Sequence, residues 1–87
     1  MVSEKVIIKD SSGLHLTPAG NLCSEAIKYK SKITLKFKDT EANVKSMISI
    51  LSACVKCGNE IEIVCEGEDE EEALKNIIKI INGGKNG

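Results

Sequence analysis

The stretch Lys32-Ile33-Thr34-Leu35-Lys36-Phe37-Lys38 alternates strictly between polar and apolar side chains. A period of two belongs to a strand with one buried face and one solvated face. Such a strand needs antiparallel neighbours and a covering layer on its apolar side alone. Reading forward, Asp39-Thr40 predicts a tight connection into a short strand near Glu41 to Val44. Reading back, Val2 to Lys9 contains Val6, Ile7 and Ile8 and predicts a strand, broken by Asp10-Ser11-Ser12-Gly13. Ile61, Ile63 and Cys65 predict a fourth alternating strand, ended by Gly67.

Between these strands the period changes. Ala19, Leu22, Cys23, Ala26 and Ile27 recur at spacings of three and four, the mark of a helix. Pro18 suits its first turn, where a missing N–H costs nothing. Ser46 is placed to open a brief apolar helix holding Met47, Ile48, Ile50 and Leu51, with Gly58-Asn59 closing it. A last helix is expected from about Asp69 to Asn82, with Ala73, Leu74, Ile77, Ile78 and Ile81 on its buried stripe and Gly83-Gly84 beyond. Five acids, Glu68 to Glu72, crowd its start. A metal or a basic partner could use them, but acids at the positive pole of a helix need no such explanation. The order strand, helix, strand, strand, helix, strand, helix gives an α+β fold: a four-stranded antiparallel sheet with three helices on one face. Residues 1–87 are too few for a second core, so one domain is expected.

Composition narrows the function. The formal net charge is −1, all twelve basic residues are lysines, and Tyr29 and Phe37 are the only aromatics. Neither the basic field nor the stacking surface that nucleic acid requires is present, so no direct nucleic-acid partner is expected. No basic segment leads into an apolar run, and no stretch suggests membrane insertion. A soluble, cytoplasmic protein is expected. In that compartment Cys23, Cys54, Cys57 and Cys65 are read as structural cysteines rather than disulfide partners. Cys23 and Cys65 fill apolar slots. Cys54-Val55-Lys56-Cys57 has redox spacing but falls at the C-terminal pole of a helical pattern, where the dipole does not favour thiolate.

His15, the one histidine, follows Gly13-Leu14 at the junction of a loop and the first helix. The positive end of a helix holds phosphate and disfavours imidazolium, keeping the ring neutral and nucleophilic. A competing local reading makes Thr17 the N-cap and Pro18 the first helical residue, which leaves His15 in the loop. By itself a lone histidine near a helix start is more often a capping or surface residue than a catalytic one.

The stretch Gly13-Leu14-His15-Leu16-Thr17-Pro18-Ala19 resembles the active-site signature G-L-H-A-R-P-A of the HPr family of phosphocarriers, which serve the phosphoenolpyruvate-dependent sugar phosphotransferase system. Asn43 to Ile48 is similar to the segment that carries the regulatory serine in Gram-positive members. Gly58-Asn59-Glu60-Ile61 and Glu66 to Glu70 match the family's closing strand and its entry to the last helix. The likeness covers essentially the whole chain. It implies an HPr-like open-faced β-sandwich, a phosphoryl carrier rather than a turnover enzyme, and no cofactor or metal. His15 would accept a phosphoryl group on Nδ1 from phosphorylated enzyme I and pass it to sugar-specific IIA components. The backbone amides of Leu16 and Thr17 would hold the phosphate. Ser46 would be the regulatory phosphosite, met by an HPr kinase/phosphorylase and a catabolite-control transcription regulator, with Met47, Ile48 and Leu51 as the docking patch. Thr17 departs from the pattern, which has arginine there, and Leu16 replaces alanine. A neutral hydroxyl in place of guanidinium loses a charge-assisted contact of roughly 1.5–3 kcal/mol.

Overall fold

The computed structural model describes residues 1–11, 13–14 and 16–83. Its elements in chain order are β1 (Val2–Ile7), α1 (Leu16–Ala26), β2 (Lys32–Phe37), β3 (Thr40–Asn43), α2 (Met47–Ser52), β4 (Glu60–Glu66) and α3 (Glu70–Ile81). The strands form one sheet in the order β1-β4-β2-β3, and every neighbouring pair is antiparallel. The four-stranded sheet with three helices is the predicted architecture.

Register follows from the alternation. Ile33 faces Cys65, Leu35 faces Ile63, and Val6 faces Ile61, so the apolar sets of three strands share one side. α3 packs over β1 and β4, α2 meets β3, and α1 packs against both α3 and α2. The core is aliphatic, with Leu22, Ile33, Leu35, Ile50, Ile61, Ile63 and Ile77 all essentially inaccessible. Across the uncovered side of the sheet, Lys5, Glu62, Lys36 and Glu41 stand in one cross-strand row of alternating charge. Opposite charges in facing positions support the pairing, each by a fraction of a kcal/mol.

Ser31 is the buried polar residue of the described core. Its hydroxyl donates to Asp69 Oδ1, and the same carboxylate accepts the N–H groups of Ser31 at 2.9 Å and Lys30 at 3.0 Å. One side chain at the N-cap of α3 thus ties down the chain entering β2. The Ser31 hydroxyl, helped by the Lys30 amide, holds the Asp69 carboxyl down to about 2. Gly67 makes the approach possible: at φ +151, a Cβ there would lie 2.7 Å from Ser31 Cα. The acids around Asp69 are also spoken for in part. Glu70 accepts the Gly67 N–H at 3.0 Å and pairs with the N-terminal amine at 3.1 Å.

Several boundaries differ from the sequence expectation. β1 stops at Ile7, although Ile8 keeps two backbone bonds, to Asn59 O at 2.9 Å and from Gly58 N at 2.8 Å. Thr40 already belongs to β3, because Lys38 at φ +55 turns the chain one residue earlier. α1 begins at Leu16, two residues before Pro18, since proline is tolerated throughout a first turn whose N–H groups have no helical acceptor. Ile27 lies beyond α1 and is 62% exposed, so it leaves the buried stripe on which periodicity placed it. Cys65 is buried, and burial pushes its thiol up to about 11. Cys23 is half-buried, its Sγ donating to Lys45 O at 3.3 Å. Cys54 and Cys57 are exposed and contribute nothing to the core.

Candidate functional site

The segment leading to the candidate nucleophile is held from below. The Gly13 N–H donates to Asp10 O at 2.8 Å, closing a turn, and the Leu14 N–H donates to Val55 O at 2.9 Å. Gly13 has φ +71, and a Cβ on it would meet Val55 O at 2.6 Å and Lys56 Cα at 2.7 Å. Only glycine fits there. Leu14 is buried in the core at 7% exposure. The chain therefore enters α1 from a fixed floor, the loop between α2 and β4. That loop is set in turn by the Asn59 side chain, which accepts the Lys56 N–H at 2.8 Å.

His15 lies outside the described residues. Its neighbours do not: Leu14 is buried, and Leu16 opens α1 with its side chain 65% exposed. The amides of Leu16 and Thr17 belong to the first turn of an eleven-residue helix, among those with no acceptor inside it. No acidic residue stands in that turn to compete with an anion. Thr17 is exposed and lines an open groove of about 520 Å³ with Lys9, Asp10, Pro18 and Asn21. Lys9 is the basic side chain of that groove among the described residues. Asn21 stands one turn beyond Thr17 on α1, as helical spacing implies, but nothing in local sequence pattern marks Lys9, beyond the end of β1, as lining the same groove.

Ser46 is the N-cap of α2, in extended conformation, its Oγ accepting the Ser49 N–H at 3.3 Å. α2 has six residues, of which Ile50 alone is fully buried. Ile48 is 78% exposed. Met47 is half-buried, its sulfur lying over Gly20 of α1, 3.9 Å from where a Cβ on that glycine would sit. Leu51 is half-buried against the core. Leu16, one turn before Gly20 on α1, extends this apolar surface toward the helix start. Leu16 and Thr17 thus lie on α1, and Met47, Ile48 and Leu51 on α2, two helices that pack together.

The molecule is a small open-faced α+β sandwich in which a loop pinned at Gly13 feeds the N-terminus of α1. The sequence profile described as "PTS HPr component phosphorylation site" matches residues 2–83, and the chain belongs to the HPr family. It is similar to the phosphocarrier protein HPr of Mycoplasma pneumoniae, 42% identical over 78 residues, covering 88% of each chain. It is 34% identical over 77 residues to the HPr-like protein Crh of Bacillus subtilis, covering 88% of this chain and 91% of that one. Among solved structures, the histidine-containing phosphocarrier protein of a mycoplasma superposes with a TM-score of 0.91 at 33% identity, covering 94% of this chain and 93% of that one.

Proposed function

We propose that this chain carries phosphoryl groups on His15 within the sugar phosphotransferase system. The observation that carries the reading is the start of α1 at Leu16, directly after the histidine in sequence. An imidazole Nδ1 there attacks phosphorus as the bond to phospho-enzyme I breaks. The transferred group then faces the amides of Leu16 and Thr17 and the positive pole of α1. Transfer to a IIA component reverses these steps. The exposed Leu16 and Ile48 side chains, with Met47 and the margin of Leu51, supply an apolar surface beside the site for these partners. Among the described residues no helix is long and apolar enough to cross a membrane.

Thr17 brings no charge to the phosphate, so transfer is expected to be slower than with arginine at this position. Thr17→Arg should raise the rate of phosphoryl acceptance by about tenfold, the kinetic equivalent of about 1.4 kcal/mol. The direct test is incubation with phosphoenolpyruvate and enzyme I, followed by intact-mass measurement before and after mild acid. An acid-labile gain of one phosphoryl group, absent in His15→Ala, supports the reading. Labelling that survives His15→Ala overturns it.

A second reading is favoured by Ser46, whose Oγ caps α2 beside the exposed Ile48. In this reading a protein kinase phosphorylates Ser46 and a transcription regulator recognises the product, with His15 little used. Acid-stable labelling at Ser46 by kinase and ATP, without acid-labile labelling by enzyme I, would select it.

A further inference from the structure

We propose that Cys54 and Cys57 form a peroxide-sensitive dithiol that controls the floor beneath the segment entering α1. Of the four cysteines, these two alone are exposed, and two residues separate them in one loop. Cys54 is held at φ +56, a conformation that disfavours a residue with a Cβ and leaves the loop under local strain. Cys57 Sγ points toward Lys9 O at 3.9 Å, at the edge of the groove that Thr17 lines.

Val55 between them is buried at 3% exposure, and its carbonyl holds the Leu14 N–H at 2.9 Å. A disulfide requires the two Cα atoms to come within roughly 4.4–6.8 Å, which fixes the orientation of the enclosed peptides. Closing a four-residue ring therefore acts on the Val55 carbonyl directly. Gly13 runs so close to this loop that a Cβ on it would lie 2.6 Å from Val55 O and 2.7 Å from Lys56 Cα, so movement of residues 55 and 56 is felt by the segment beside them.

The chemistry balances with hydrogen peroxide as oxidant. The Cys57 thiolate takes one oxygen, forming sulfenic acid and releasing hydroxide. The Cys54 thiol then attacks that sulfur, the S–O bond breaks, and water leaves. Two thiols and one peroxide give one disulfide and two waters, with two electrons passed from sulfur to oxygen. A dithiol reductant restores the thiols and the Leu14 tie.

The test treats the reduced full-length chain with peroxide and combines peptide mass mapping with amide exchange read by NMR. Expected is a loss of two hydrogens confined to the peptide holding Cys54 and Cys57, absent in Cys57→Ser and in Cys54→Ser. The Leu14 amide should exchange at least about tenfold faster in the oxidised chain and recover on reduction. Absence of the intramolecular disulfide, or an oxidised loop with unchanged Leu14 exchange, overturns the proposal. These readouts do not depend on His15. Phosphoryl acceptance compared before and after oxidation adds the functional consequence, a fall of about tenfold or more from misplacement of the segment.

Discussion

At the scale of single residues, two positions of opposite fitness govern the loop below the site. Gly13 occupies φ +71, where an added Cβ would lie 2.6 Å from Val55 O and 2.7 Å from Lys56 Cα. Gly13→Ala should cost at least about 2 kcal/mol in urea unfolding, from left-handed strain plus collision with backbone. Cys54 holds φ +56 with a side chain that gains nothing from burial. Cys54→Gly should stabilise the chain by up to about 1 kcal/mol, seen as a higher urea midpoint at unchanged slope. Sequence marked Gly13 as a turn residue but could not show what it turns against. The Val55 carbonyl is a partner more than forty positions away, and no local pattern encodes it. The C-x-x-C spacing was legible; that both residues are exposed beside a buried Val55 was not, because α2 ends at Ser52, well before the expected stop at Gly58-Asn59.

At the scale of elements, the alternating strands and the α3 stripe were readable because burial on one face imposes a strict period. Boundaries were not, since they depend on turns such as Lys38 at φ +55. The N-terminus of α3 shows a connection of the same hidden kind. Five consecutive acids suggest a charged helix start, yet Asp69 serves the strand entrance at Ser31. Its carboxyl is depressed to about 2, against about 3.9 in an unfolded chain. A depressed folded pKa contributes stability that is complete above the unfolded value and disappears as pH falls through the folded one. The stability advantage of the natural chain over Asp69→Asn should therefore be largest above pH 5 and shrink steadily between about pH 4 and pH 2. Denaturant titrations of both proteins at matched ionic strength check this; a pH-independent difference would show that the contact works by shape alone.

For the whole molecule, one layer of helices on one sheet gives a core of modest size. A chain of 87 residues has a total stability of roughly 4–13 kcal/mol. Ile63 sits at its middle, fully buried on the central pair of strands. Ile63→Ala should cost about 2–5 kcal/mol, enough to leave the fold marginal at 37 °C. Thermal unfolding followed by circular dichroism would register it as a large drop in midpoint. The same one-sided build leaves the other sheet face bare, with its Lys5-Glu62-Lys36-Glu41 row. Adjacent strands are only about 4.8 Å apart, well inside the roughly 8 Å over which physiological salt screens charge. Seen from a Debye length away, the row cancels itself. An approaching protein feels almost nothing from that row, so steering of productive collisions falls to the charges around it and to the helical side.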